Sequence, residues 1–189
     1  MSIVATPSEA EATGLVAELY EEDIASQGYV ASHTAVMAVN PEAVRAWEGL
    51  IRTIALPLGK RRYELITLAA ARGLRSRHCL LAHGARTLAF IDEPALTRIA
   101  RDYRNADLSD AEVAMMAFAE RVSQDSHAMT DEDSLRLREH GFSDTDIVNI
   151  TLAAAARNYF SRAIQALAVE VDVPPGLSPQ LREALVGGL

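Results

Sequence analysis

The chain has 189 residues, of which 49% are hydrophobic and 23% are charged, a composition typical of an ordinary soluble globular protein. Its net charge of −8 argues against nucleic acid or an anionic membrane as the main partner. Its single cysteine excludes an intrachain disulfide and a cysteine-based zinc cage within one chain. No uninterrupted apolar run reaches the ~18 residues of a membrane span.

The N-terminal segment carries no basic region ahead of an apolar stretch. We therefore expect no secretory signal and a location in the reducing cytoplasm. The length suits one sizeable domain. We predict one all-helical domain over residues 1–189, with a site-bearing half at about 40–105 and a second half at about 106–172.

The first half of the chain is predicted to be helical between short breaks. The first helix starts near Ser8 and stops at the break around Gly28, and Asn40-Pro41 marks the next start because proline suits the first helical turn. The predicted helical segments are, in order, 9–26, 41–56, 60–74, 77–90 and 92 to about 101. The segments 60–74 and 77–90 form a predicted helical hairpin.

The second half begins with three helix-start signals, at Ser109, Thr130 and Ser143, each followed three residues later by a carboxylate. A long helix is predicted from Asp144 to about residue 171, and a last one over 178–186. No segment shows sustained strand alternation. The predicted fold class is therefore all-α.

A weak internal repeat relates the two halves at a constant offset of 85 residues (154 − 69). The run Ala-Ala-Ala-Arg, three residues, Ser-Arg occurs at 69–77 and again at 154–162. Duplication of a helical hairpin and a chance likeness of two alanine-rich packing helices are both open interpretations. If duplication is correct, the chemistry is expected in the first copy only, because the second lacks its carboxylate, histidines and cysteine.

The first copy carries a cluster of candidate reactive side chains: Glu64, Ser76, His78, Cys79 and His83. Cys79 and His83 share one helical face, where an imidazole can take the proton of a thiol. In the first turn of a helix, backbone N–H groups favour a thiolate at Cys79. Glu64 on the preceding helix is placed to orient His83, Ser76 to hydrogen-bond the thiolate, and His78 to point elsewhere.

Each residue of this cluster also has an interpretation in which it serves only the fold and not a reaction. Cys79 is then a small buried hydrophobe, and His83 a hydrogen-bonded histidine at a helix interface. Glu64 becomes a surface carboxylate paired with Lys60 or Arg61, and Ser76 a simple N-cap. Two histidines and a glutamate around one cysteine favour a site.

The stretch YELITLAAARGLRSRHCLLAHGA resembles the core of the AhpD-like, carboxymuconolactone decarboxylase superfamily. That family's pattern is a glutamate, a Cys-x-x-Cys 12 residues later, and a histidine four residues after the second cysteine. Glu64, Ser76, Cys79 and His83 keep these intervals, since 76 − 64 = 12, 79 − 76 = 3 and 83 − 79 = 4. The stretch over 108–163 resembles the second half of the peroxidase-related proteins in this superfamily, and the likeness covers roughly residues 10–172.

The resemblance implies an all-helical fold that assembles into homo-oligomers: a dimer, a trimer or a hexamer. It makes Cys79 the peroxidatic thiol, which hydroperoxide oxidises to a sulfenic acid, with Glu64, His78 and His83 as the proton relay. Ser76 replaces the resolving cysteine of the family, and a hydroxyl cannot form a disulfide. Recycling of Cys79 then requires an external thiol, a partner protein or Cys79 of another subunit.

Three functions stay open at this point. The first is a one-cysteine hydroperoxidase, with a small-molecule hydroperoxide as substrate, an external thiol or protein as reductant, and no cofactor. The second is acid–base chemistry on a small lactone or keto acid, with Arg72 or Arg86 holding a carboxylate. The third is a non-catalytic scaffold. A metal site of Cys79, His83 and Glu64 is a weaker option.

Overall fold

In this computed structural model, which describes residues 3–189, the chain forms ten α-helices, two short 3₁₀ turns and no strand within that range. Residues 1 and 2, the start of the segment in which no secretory signal is expected, lie outside it. The helices are α1 (Gly14–Gln27), α2 (Ser32–Met37), α3 (Pro41–Leu58), α4 (Lys60–Gly73), α5 (Arg77–Thr87), α6 (Glu93–Asp102), α7 (Asp110–Asp125), α8 (Asp131–Glu139), α9 (Asp144–Ala166) and α10 (Pro179–Val186). The predicted all-α class is confirmed. Over 3–189 no helix is both long and apolar enough to cross a membrane.

Most predicted helix starts are confirmed by their capping geometry. The Asn40 side chain accepts a hydrogen bond from the Ala43 N–H at 3.2 Å. At Ser143 the hydroxyl accepts from the Asp146 N–H at 3.2 Å, while the Asp146 carboxylate accepts from the Ser143 N–H at 2.9 Å. Such local contacts satisfy backbone groups that would otherwise lack partners at the helix end.

Some helix boundaries differ from the prediction. The Ser8 hydroxyl donates to the Glu11 carboxylate at 2.6 Å, but the turn they close does not continue into α1, because Gly14 takes a left-handed φ of 56°. The long helix α9 ends at Ala166 rather than near residue 171, because Ala168 takes a φ of 50°. The short helix α2 was not predicted.

Helix α4 lies at the centre of the fold. It packs against α3, α5, α7 and α9, and every residue from Tyr63 to Ala71 is buried. A helix buried on all sides places any polar side chain it carries inside the protein. Glu64 is therefore an interior carboxylate rather than a surface one.

The internal repeat does not correspond to a duplicated hairpin. In the first copy the chain leaves α4 at Gly73 and enters α5 at Arg77, with a break between them. The equivalent stretch over 154–162 lies inside the uninterrupted helix α9. The two copies are alanine-rich packing segments of different local structure.

The end of α4 makes a close backbone contact with α7 that yields a stability prediction. A Cβ added at Gly73 would lie 2.8 Å from the Glu120 carbonyl oxygen, so Gly73→Ala forces the two helices apart. We expect a loss of about 1–3 kcal/mol in the free energy of unfolding, measured by urea denaturation. Gly49→Ala, inside α3 with no atom within 4 Å of the new Cβ, should instead gain up to about 1 kcal/mol. Equal effects of the two substitutions would contradict the steric argument.

Candidate active site

Cys79 lies in the first turn of α5 and its side chain is only 1% exposed. Its Sγ lies 3.1 Å from the Ser161 hydroxyl and 3.7 Å from Nη1 of Arg157. Both partners come from α9, the helix that packs on α4. The sulfur therefore faces a hydroxyl and a cation inside the protein.

Arg157 is a buried cation without a carboxylate partner. None of the ion pairs within 4 Å that the described residues form includes it. Its guanidinium donates to the Tyr63 hydroxyl at 3.4 Å and lies 5.6 Å from the Phe160 ring centroid. Burial acts to lower the pKa of Arg157, but Cys79 and Tyr63 outweigh it and raise that pKa. A buried cation of this kind favours an anion beside it, and Cys79 is the group in place.

His83 and Glu64 form a buried pair across the hairpin, as predicted. Nδ1 of His83 lies 2.6 Å from a Glu64 carboxylate oxygen. Burial, together with the nearby Arg157, lowers the pKa of His83 to about 3. Burial acts to raise the pKa of Glu64, but His83 and the nearby arginines outweigh it and lower that pKa. At neutral pH a neutral His83 thus donates from Nδ1 to an ionised Glu64, which leaves Nε2 as the nitrogen that can accept a proton.

His78 forms a hydrogen bond outside this pair, with a residue that was not predicted from the sequence. Its Nε2 lies 2.9 Å from Nδ1 of His33 on α2, and the two rings meet edge to face. Burial lowers the pKa of His78 and lowers that of His33 to about 3, so both imidazoles are neutral at neutral pH.

Ser76 takes the N-cap position expected of it but does not hydrogen-bond the sulfur. It occupies the N-cap position of α5, but its side chain makes no capping hydrogen bond. Its hydroxyl is buried and has no hydrogen-bond partner among residues 3–189. Because the Ser76 backbone is extended, the three-residue spacing to Cys79 does not stack the two side chains as it would inside a helix. The hydroxyl on the sulfur comes from Ser161 instead.

Cys79 and His83 line one cavity of about 310 Å³. An aromatic wall borders it, where Trp47 stacks on Phe160 at 5.3 Å between ring centroids. The remaining lining residues combine apolar and polar side chains: Asp23, His33, Thr34, Met37, Val44, Glu48, Ile51, Arg52, Tyr63, His78, Ala82, Arg86 and Arg157. A volume near 300 Å³ is at the lower end of ligand-binding pockets, which suits a small organic molecule.

The metal option raised from the sequence is not supported at Cys79, His83 and Glu64. In the described part of the chain, the donor atoms that converge as a possible ligand group belong to His33, His78 and Asp172 instead.

Arg157 and Ser161 were not predicted from the sequence, although a signal for both was present. They stand 85 residues after Arg72 and Ser76 in the internal repeat (157 − 72 and 161 − 76). Duplication would have confined the chemistry to the first copy, but two polar side chains of the second copy contact the sulfur.

Comparison with solved structures finds AhpD-like proteins of the same fold. The chain resembles an uncharacterised peroxidase-related protein from Ralstonia eutropha JMP134 with an alkylhydroperoxidase AhpD core, at TM-score 0.79 and 25% identity over 98% of this chain and 97% of that one. It also resembles an uncharacterised peroxidase-related protein from Silicibacter sp. TM1040, at TM-score 0.76 and 26% identity over 88% and 92% of the two chains. These likenesses support an AhpD-like, peroxidase-related superfamily for this chain.

A more distant structure shares the fold of this AhpD-like protein. The debrominase Bmp8 in complex with 2,3,4-tribromopyrrole matches at TM-score 0.76 and 16% identity over 98% of each chain. An identity this low shows the fold alone. No protein-family model and no curated protein matches the sequence.

The buried His83 gives this AhpD-like protein a pH-dependent stability. Its folded pKa of about 3 lies below the ordinary 6.5, so the unfolded state binds more protons between these values. The stabilisation is complete above pH 6.5 and is lost as pH falls towards 3. We expect the free energy of unfolding to fall less steeply from pH 7 to pH 4 in His83→Gln than in wild type, measured by urea denaturation. The exposed His127→Gln should keep the wild-type slope; a wild-type slope in His83→Gln would contradict the assignment.

Proposed function

We propose that this protein is a one-cysteine, thiol-dependent hydroperoxide reductase in which Cys79 is the nucleophile. The observation that supports this proposal is the position of Sγ, 3.7 Å from the guanidinium of Arg157, a buried cation that no carboxylate pairs within 4 Å in the described residues. A thiolate there neutralises the cation, and the cation stabilises the thiolate. A thiolate is the form of cysteine that attacks peroxides.

The His83–Glu64 pair supplies the proton transfers. With Nδ1 held by the Glu64 carboxylate at 2.6 Å, Nε2 of His83 accepts the thiol proton and later returns it. The Glu64 carboxylate favours the imidazolium, but burial and Arg157 keep the pKa of His83 at about 3, so His83 carries the proton only transiently, as the base of a nucleophile–base–orienter set. Both Cys79 and His83 line the cavity in which the substrate would bind.

The shape of the cavity favours an organic hydroperoxide over hydrogen peroxide alone. Hydrogen peroxide has no apolar part and needs no cavity of about 310 Å³ with an aromatic wall. The apolar side chains Met37, Val44 and Ile51 join Trp47 and Phe160 in lining it. We propose that the alkyl group of a small hydroperoxide packs on this wall with its O–O bond towards Sγ.

The chemical step balances as a two-electron transfer. The thiolate of Cys79 attacks the terminal oxygen of the hydroperoxide, the S–O bond forms and the O–O bond breaks. The alkoxide leaves and takes the proton that His83 relays from the thiol, giving an alcohol and a Cys79 sulfenic acid.

Recovery of the thiol requires an external reductant. Ser76 cannot form a disulfide, and the chain has no other cysteine. A first external thiol condenses with the sulfenic acid, releasing water and forming a mixed disulfide, and a second thiol frees Cys79 and leaves as the disulfide of the two. A cytoplasmic location, where such thiols are abundant, stays a prediction.

Mass spectrometry of Cys79 tests the proposal. The full-length protein is treated with sub-stoichiometric cumene hydroperoxide in the presence of dimedone, which traps sulfenic acids. We expect the dimedone adduct on the peptide that carries Cys79 and recovery of the free thiol when dithiothreitol replaces dimedone. Hydrogen peroxide should give the same adduct more slowly.

An unmodified Cys79 under these conditions would overturn the proposal. The acid–base alternative, which uses the His83–Glu64 pair without the sulfur, would then be favoured.

Self-association stays a prediction of the resemblance, and the surface offers a place for it. Helices α3 and α9 leave between them an open apolar groove of about 480 Å³. Its side chains Leu50, Leu152 and Tyr159 are about half exposed. We propose that this groove contacts a second copy of the chain, because burial of such a strip stabilises association.

A further inference from the structure

Three segments far apart in the sequence bring metal-binding side chains together beside the candidate active site. His33 lies on α2, His78 on α5, and Asp172 in the segment between α9 and α10. One donor atom from each lies within 4.8 Å of the other two. We propose that these three side chains form a binding site for one divalent transition-metal ion.

The donor set matches the chemistry of such ions. Two imidazole nitrogens and one carboxylate oxygen are ligands typical of Zn²⁺ and of its first-row neighbours. Two nitrogens that each lie about 2.0–2.1 Å from one ion are separated by about 3.0–3.4 Å. Nε2 of His78 and Nδ1 of His33 are 2.9 Å apart, so ring rotations bring both lone pairs onto one ion once each imidazole carries its proton on its other nitrogen. The Asp172 donor oxygen, which lies within 4.8 Å of both nitrogens, then needs to approach by up to about 1.8 Å to complete the set.

The surroundings hold two of the three ligands in place. One Asp172 oxygen accepts from the Ser32 backbone N–H at 2.8 Å, and the other accepts from the Ser32 hydroxyl at 2.6 Å. The His78 ring also lies near the backbone carbonyl of Glu170, while its buried Nδ1 has no well-aligned hydrogen bond. Metal-ligating histidines commonly use the second ring nitrogen to donate to such a carbonyl.

The charges around the cluster set an expectation for its affinity. Asp172 supplies the one negative charge among the three ligands, and Arg86 lines both cavities that the cluster borders. A nearby guanidinium opposes the binding of a cation. Removing the charge with Arg86→Gln should therefore tighten metal binding. If the two histidines only hydrogen-bond each other and hold no metal, the substitution should have no such effect.

The position of the site ties separate parts of the fold together. An ion here would join α2 and the segment after α9 to α5, the helix that carries Cys79. All three ligands line a second cavity of about 340 Å³, and the two histidines also line the cavity of Cys79. Coordination positions that the protein leaves open therefore face space that water or a small ligand can enter.

Titration of the full-length protein with Zn²⁺ tests the proposal. After treatment with EDTA and its removal, isothermal titration calorimetry should show one Zn²⁺ per chain, and the melting temperature should rise with Zn²⁺ concentration. His33→Asn and Asp172→Asn should each weaken binding at least about tenfold. The exposed His140→Asn is the matched control and should bind as wild type does.

Substitution of Co²⁺ for Zn²⁺ identifies the ligands by spectroscopy. The proposed nitrogen and oxygen ligands give weak visible bands and no near-ultraviolet charge-transfer band of the kind that a thiolate ligand produces. A strong near-ultraviolet band that disappears in Cys79→Ser would overturn the proposal in favour of a site at the cysteine. Absence of Zn²⁺ binding, or binding that both His33→Asn and Asp172→Asn leave unchanged, would also overturn it.

Discussion

The Cys79→Ser protein is expected to reduce cumene hydroperoxide at least about 10³-fold more slowly than wild type, with dithiothreitol as the reductant. A serine hydroxyl is not ionised near neutral pH and cannot pass through a sulfenic acid. The chain holds no other cysteine that could take over the reaction. Serine is close in size to cysteine and keeps a partner for the Ser161 hydroxyl, which lies 3.1 Å from Sγ, so the variant should fold.

A matched experiment separates this reaction from acid–base chemistry. Wild-type protein alkylated at Cys79 should be as inactive as Cys79→Ser, whereas Glu64→Gln should retain the thiol and react with hydroperoxide more slowly. Undiminished hydroperoxide consumption by Cys79→Ser would contradict the thiol mechanism and leave the His83–Glu64 pair, 2.6 Å apart, as the reactive group.

Arg157→Met is expected to slow the oxidation of Cys79 by hydroperoxide by about 10–100-fold. The substitution removes the guanidinium 3.7 Å from Sγ and fills most of the volume with an apolar side chain. Without the cation, a thiolate in this buried position loses its charged partner and keeps the Ser161 hydroxyl at 3.1 Å. The oxidation rate is measured by stopped flow. The rate of alkylation by iodoacetamide gives a second measure of the same thiolate.

Stability distinguishes this electrostatic effect from misfolding. A buried cation with no carboxylate partner carries a desolvation cost, so Arg157→Met should retain or raise the melting temperature while it loses activity. Arg157→Lys keeps the charge and should recover part of the rate. Arg162→Met, on the exposed side of the same helix, should react as wild type does. An alkylation rate in Arg157→Met equal to that of wild type would mean that Cys79 is a small buried apolar residue.

Helix boundaries were predictable wherever one local contact decides them. The starts at Asn40 and Ser143 follow from side chains that cap their own helix within three residues. The start of α1 and the end of α9 were not predictable, because they depend on the left-handed backbone at Gly14 and Ala168. Alanine has no intrinsic preference for that conformation, so no sequence signal marks position 168.

The central part of the site was predictable for a similar reason. Glu64 and His83 lie 19 residues apart on two helices that a short break turns against each other, and this hairpin is enough to bring them to 2.6 Å. Ser76 shows the limit of spacing alone. Its interval to Cys79 matches the family pattern, but with its extended backbone as an N-cap residue its hydroxyl makes no hydrogen bond to the sulfur.

The sequence alone therefore determined the all-α class, the hairpin and the identity of the sulfur with its nearby carboxylate and imidazole, because these depend on periodicity, capping and short separations. Only the tertiary structure decided what surrounds that sulfur. Arg157 and Ser161 lie 78 and 82 residues from Cys79 along the chain, and they reach it because α9 packs on α4. Contacts over such separations depend on how buried helix faces pack together, and many arrangements of alanine-rich helices satisfy the same local pattern.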